Sequence, residues 1–289
     1  MSMLSALFRY QFMQNAVLAG FFASLLCGVI GVIIIEKKLV MMSGGIAHAS
    51  YGGVGLGYLL GIEPILGAIG FALASAFGVG VLKRRGGARA DVLIGLFWSV
   101  GMALGIFFVA LMPGYPPDMS SYLFGNILAV TRADLWLIAS ITAVVLIVVF
   151  VLFDSWKAYL FDDEFAWIIG QPTVFFEYLL LSIIALSVVA LIRVVGIILA
   201  LAMLTAPAAT ASLFTKGLGT RMVVSAALST LFCWAGLAVS YYTGVSSGAA
   251  IVTLSGAVCL LSYGVRALAA RQLQKHAAKT HAGGEVAGK

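Results

Sequence analysis

Apolar runs of about twenty residues, each long enough for a helix to cross a bilayer core, recur along the whole chain. They fall near 16–35, 39–61, 65–82, 92–112, 135–153, 174–192, 195–213, 222–242 and 249–265. Only Arg193 and its neighbours divide the runs 174–192 and 195–213. The pattern predicts an all-α, polytopic membrane helix bundle with nine spans, eight or ten being the alternatives. The segment 119–131 (MSSYLFGNILAVT) is apolar but too short to span, and reads as a re-entrant or interfacial helix. Residues 1–15 read as an N-terminal interfacial segment, with Leu4, Leu7, Phe8 and Phe12 on one helical face. An early start of the first span is the other reading. Residues 16–265 form the membrane domain, and the polar, basic tail 266–289 is expected to fray or be disordered.

Composition closes off other classes. Of 289 residues, 62% are apolar and 10% charged. A soluble domain carries about 25% charged residues and needs a polar surface, so a soluble globular enzyme and a disordered chain are both excluded. Cys27, Cys233 and Cys259 sit inside apolar runs, where cysteine acts as a small hydrophobe.

The net charge of +6 is spread by a rule. Fourteen of the seventeen Lys and Arg lie in 36–38, 83–90, 154–172, 214–221 and beyond 265; the other three are Arg9, Arg132 and Arg193. That asymmetry orients a membrane protein and is no nucleic-acid footprint. It predicts an outer N-terminus and a cytoplasmic C-terminus.

Polar groups at membrane depth are costly, so each is a candidate for function. His48, in MMSGGIAHASYGGVGLGYLLG, is the only histidine in any span. It is either a ligand or proton carrier, or a packed side chain bonded to a carbonyl. Gly45, Ala49, Gly53, Gly57 and Gly61 recur every four residues and predict a smooth stripe for close helix contact. Gly44 and His48 lie on the adjacent stripe, with Ser43, Ser50 and Tyr51 adding hydroxyls. In LTAPAATA, Pro207 frees the carbonyl of Met203, and Thr205 and Thr210 can compensate or face a cavity. Ser99 and the pair Ser246–Ser247 are weaker candidates.

The loop FDDEFAWIIGQP joins Asp162, Asp163 and Glu164 to Phe165, Ala166, Trp167, Ile168 and Ile169, with Gly170 and Pro172 ending it. It predicts a short amphipathic helix that docks a soluble partner or lies on lipid. The chain has no GxxxxGK[ST] and no HExxH, and its one membrane histidine stands two residues from Ser50 on the same helix, where the two face different ways and make no serine-protease pair. A secondary transporter, the rival class, calls for a buried coupling carboxylate. The acids nearest the spans, Glu36, Glu63, Asp91 and Glu177, all fall at loops or span edges.

Several blocks together resemble a known family: AHAS at 47–50 followed by GGVGLGYLLG, DVLIGLFWS at 91–99, YLFGNILAVTRADL at 122–135, the acidic FDDEFAWIIG loop, and VVGIILALAMLTAPAATA at 194–211. They are similar to the integral-membrane permeases of metal-type ABC importers, the zinc, manganese and iron group, over about residues 15–265. The resemblance implies a permease homodimer in the cell membrane, two cytoplasmic ABC ATPase subunits and an extracytoplasmic metal-binding protein. It implies no stable cofactor and no enzyme activity in this chain; the divalent metal ion is cargo, zinc first, with manganese or iron also accepted. The stretch 162–170 becomes the coupling helix. His48 becomes the pathway histidine, with Ser43, Gly44, Ser50, Ser99, Asn126 and Thr205 as pathway positions. The chain departs from the pattern at three places. Gly44 stands where an acid usually precedes the histidine by one turn. Trp98 stands where zinc-type members often have histidine, and Asn126 where an Asp is common.

Overall fold

The computed structural model describes residues 9–84, 89–114 and 119–286, with side chains described to residue 270. Among the described residues every regular element is a helix. In chain order these are α1 (Gln11–Glu36), α2 (Val40–Leu60), α3 (Pro64–Arg84), α4 (Ala90–Ala110), α5 (Ser120–Phe124), α6 (Arg132–Val151), α7 (Phe153–Phe161), α8 (Asp163–Ile168), α9 (Thr173–Val195), α10 (Ile197–Phe214), α11 (Leu218–Thr243) and α12 (Ser247–Val286). A single 3-10 turn, Ile127–Ala129, lies between α5 and α6.

Nine of these helices are long, and they follow the nine apolar runs. Eight are long and apolar enough to cross a membrane. The ninth, α2, matches them in length at 21 residues but is diluted by glycine, serine and histidine. The reason is its position: α2 packs between α3 and α4, so its small and polar residues meet protein and not lipid. Around it, α1 packs on α10, α11 and α6, α9 lies against α3 and α6, and α12 covers α10 and α11.

Helix packing here depends on missing side chains. A Cβ on Gly53 would collide with the backbone of Gly67 in α3, and one on Gly55 with the backbone of Gly105 in α4. The predicted single stripe therefore divides. Gly45 and Ala49 meet α4 at Ile94 and Gly101, whereas Gly53 and Gly57 meet α3 at Gly67 and Pro64. Residues four apart drift by about 40° around a helix with 3.6 residues per turn, so the stripe rotates from one neighbour to the other. Gly61 is not a packing residue: it closes α2 at φ 66°, with open space where a Cβ would stand.

The ends of the helices sort into two groups. At one end Glu36 pairs with Arg221, Lys37 with Asp163, and Arg84 with Glu177. At the other, Arg193 pairs with Asp134, and Glu63 lies close by. This division matches the alternation of basic loops in the sequence. At the second end α9 turns directly into α10 through Gly196 (φ 81°), which is packed backbone to backbone on Gly125 (φ 69°) of the short α5 segment. Neither position has room for a side chain.

The structure bears on three of the expectations, and at the first it follows the early start of the first span. Residues 11–15 belong to α1, so no separate interfacial segment covers them, and residues 1–8 lie outside the described set. Helix α10 runs unbroken through Pro207, and Thr205 and Thr210 bond to the carbonyls of Leu201 and Ala206, not to that of Met203. The tail, expected to fray, continues α12 to Val286; its Ala, Arg, Gln, Lys and Leu residues have strong helix propensity. Cys27 and Cys233 are buried and free, as small apolar fillers.

Candidate functional site in the α2, α4 and α10 interior

His48 sits on the middle turns of α2, half-buried, and reaches α4. Its ring lies flat against Trp98, with centroids 4.0 Å apart and planes 9° from parallel. Nδ1 is buried with no hydrogen-bond partner. One turn earlier, a Cβ on Gly44 would lie 3.6 Å from the Trp98 ring and 3.8 Å from the Leu201 side chain of α10. The missing side chain thus leaves a small notch where three helices meet. Thr205 stands one turn beyond Leu201 on α10. Its hydroxyl donates to the Leu201 carbonyl at 2.8 Å, leaving its lone pairs available.

The other pathway positions are distributed differently. Ser43 and Ser50 are fully buried and donate to the Val40 and Ala47 carbonyls at 2.8 and 2.6 Å. Ser99 follows Trp98 on the open side of α4 and donates to Gly95 at 2.9 Å. Asn126 is not part of this group. It caps the 3-10 turn, accepting from the Leu128 amide at 3.1 Å, and lines a separate cleft of about 520 Å³ with Phe12, Tyr241 and Ser246. Among the described residues no three His, Cys, Asp or Glu side chains are placed to hold a metal together. The interior can offer a passing cation one imidazole and several oxygens, but no closed cage.

The second end holds a polar group that the sequence reading missed. Asp134 is buried, and Arg193 donates to it from Nε at 2.7 Å. Arg193 also reaches the Tyr122 hydroxyl at 3.2 Å, and the Tyr58 and Tyr122 hydroxyls lie 3.3 Å apart. Burial pushes the Tyr122 hydroxyl far above its ordinary range, so it stays protonated. Asp134 was legible as half of a capping box: Thr131 accepts from its amide, and its carboxylate takes the Thr131 amide and hydroxyl. The Arg193 pairing joins two helices 59 residues apart, which no local pattern reveals.

At the first end the acidic loop forms two short helices. Asp162 caps α8, accepting from the Glu164 and Phe165 amides at 2.8 and 3.1 Å. Asp163 is paired to Lys37, whose ammonium also lies 3.8 Å from the centre of the Tyr159 ring. Gly170 ends the segment at φ 84°. Ala166 is fully buried and anchors α8, while Phe161, Phe165, Trp167 and Ile168 are exposed. Two of the three acids are therefore engaged within the chain. The outward surface is aromatic and aliphatic, as on an amphipathic helix.

Comparison with known proteins fits this arrangement. The model of the ABC 3 transport family matches residues 9–266. A manganese transport system membrane protein of Halalkalibacterium halodurans is 33% identical over 257 residues, covering 89% of this chain and 88% of its own. A manganese import system permease protein of Streptococcus gordonii is 34% identical over 260 residues, covering 90% and 93%. The solved structure of PsaBC from Streptococcus pneumoniae in complex with Fab superposes with a TM-score of 0.82 at 31% identity, covering 90% of this chain and 94% of that one.

Proposed function

The chain belongs to the ABC 3 transport family, and from that membership we propose that it is the membrane permease of an ATP-driven importer of manganese. It is a multi-pass protein of the plasma membrane and a transport subunit, with ATP hydrolysis in a separate partner. A metal cargo is common to the named relatives, and manganese is the ion in their names. The chemistry of the interior favours that ion over zinc. Zinc prefers nitrogen and sulfur ligands, whereas manganese accepts oxygen donors readily. The α2, α4 and α10 segments that carry the expected pathway positions offer one imidazole, the hydroxyls of Ser43, Ser50, Ser99 and Thr205 and backbone carbonyls, with no second imidazole and no thiolate among the described residues. Weak coordination suits a pathway, because an ion held tightly would not leave.

The observation that carries the reading is His48, placed at mid-helix in the bundle interior with its Nδ1 unpartnered. The basic end, with Lys37, Arg84 and Arg221, faces the cytoplasm, so the N-terminus is outside and the C-terminus inside. At that end α8 seats in the ATPase through its exposed aromatics. At the outer end an extracytoplasmic binding protein delivers the ion. A second permease copy closes the pathway from the open side of α4, where Leu96, Ile106 and Phe107 are exposed beside Ser99. A gradient-driven carrier is disfavoured: the one buried carboxylate among the described residues, Asp134, is already paired with Arg193. The test is metal content of cells with and without this permease. Loss of manganese with zinc unchanged supports the assignment, and unchanged manganese overturns it.

A further inference from the structure

A histidine that binds a metal through one ring nitrogen usually donates from the other to a carboxylate, carbonyl or water, and that bond fixes the ring. His48 lacks such a partner. Its Nδ1 is shut away from solvent with nothing to bond. What holds the ring is Trp98, stacked at 4.0 Å and 9°. The indole edge lies beside Gly44, where a Cβ would stand 3.6 Å from it, so the stack is built by α2 and α4. A stack constrains the plane of the imidazole. It leaves the lone pair of the unprotonated nitrogen uncovered, because that lone pair lies in the ring plane and Trp98 covers only the ring face.

We propose that Trp98 is the positioning residue of the pathway: its indole orients His48 in place of the usual hydrogen bond and thereby sets how strongly the pathway holds its cation. The proposal rests on the reading of His48 as a pathway ligand. It makes α4 a determinant of ion affinity although α4 supplies no ligating atom to His48. It also gives Gly44 a role, since any side chain longer than alanine there would press on the indole or on Leu201.

The test is ATP-driven manganese uptake by the assembled permease–ATPase complex in vesicles, measured across manganese concentrations. Trp98→Leu keeps apolar bulk but removes the flat face. It should raise the half-saturating concentration about 10-fold while the maximal rate stays within about twofold. Trp98→Phe keeps a flat ring and should bring half-saturation back toward wild type. Equal half-saturation in Trp98→Leu and wild type, or a lost maximal rate with no change in half-saturation, would overturn the proposal. His48→Ala separates the two readings. Full uptake in that variant removes His48 from the pathway, whereas lost uptake there with no shift in Trp98→Leu defeats only the role of Trp98. If Trp98→Leu does not assemble, tryptophan fluorescence of the wild-type complex decides. Cobalt should quench a saturable fraction that disappears in Trp98→Phe and in His48→Ala, and no saturable quenching contradicts the proposal.

Discussion

Lys37 and Asp163 tie the turn ahead of α2 to the first residue of α8. The lysine is largely buried and stands only eleven residues before His48, whereas the aspartate sits on the surface proposed to meet the ATPase. The pair is too exposed on its acidic side to add more than about 1 kcal/mol of stability. The expected consequence is mechanical: a push on α8 should reach the base of the helix that carries His48. Lys37→Ala and Asp163→Ala should each lower the amount of manganese moved per ATP hydrolysed while leaving the complex assembled. The exchanged pair, Lys37→Asp with Asp163→Lys, should recover part of the loss. Transport per ATP equal to wild type in both single variants would show that α8 does not act through this pair.

Docking on the ATPase should depend on aromatics and not on acids. Phe165 and Trp167 are 51% and 70% exposed on a helix anchored by buried Ala166. Buried aromatic anchors commonly contribute more than about 1 kcal/mol each to an interface. Phe165→Ala with Trp167→Ala should weaken ATPase association by about 10- to 100-fold, read by titration in detergent. Glu164→Ala should change it far less. Equal losses for the two changes would return the docking role to the charges.

The crossing of α2 with α3 is set by backbone contact at Gly53 and Gly67. A methyl on Gly53 would meet backbone atoms that cannot turn aside. Gly53→Ala should therefore cost about 1–3 kcal/mol through overpacking and lower the melting temperature in detergent. Gly70 lies on α3 with open space around its Cβ position. Gly70→Ala should be neutral or stabilising by up to about 1 kcal/mol. Similar melting temperatures for the two variants would contradict the close approach of the helices.

Asp134→Asn should destabilise the end of the bundle where Arg193 pairs with it. It keeps the capping geometry with Thr131 but leaves the Arg193 guanidinium without its charged partner. Both side chains retain some solvent, so the expected loss is about 1–3 kcal/mol and not the larger cost of a fully buried pair. Thermal unfolding of the single variants and of Asp134→Asn with Arg193→Leu checks this. The double variant should be more stable than Asp134→Asn alone, and strict additivity would show that the two residues do not interact.

Much of this architecture was written in periodicity and charge. The nine apolar runs became nine long helices, and the basic loops fell at one end because charge is tolerated only outside the hydrocarbon. The short helix at 163–168 followed from Asp162, a good cap, and Gly170, a good stop. What was hidden depends on neighbours distant in sequence. Nothing near His48 announces Trp98, fifty residues away on α4. The acids of α8 looked free because Lys37 belongs to another loop. Asp134 could be found from TRAD as a capping box, but its partner Arg193 lies 59 residues on in another helix. The glycine stripe was read as straight, whereas a repeat of four residues winds around a helix of 3.6 per turn.

The most direct test of the permease assignment is manganese uptake into vesicles holding the complete complex, with and without ATP, for the wild type and His48→Ala. The expected result is accumulation that requires ATP in the wild type and is lost in His48→Ala while the ATPase stays bound. Uptake that proceeds without ATP, or that is unchanged in His48→Ala, would contradict it.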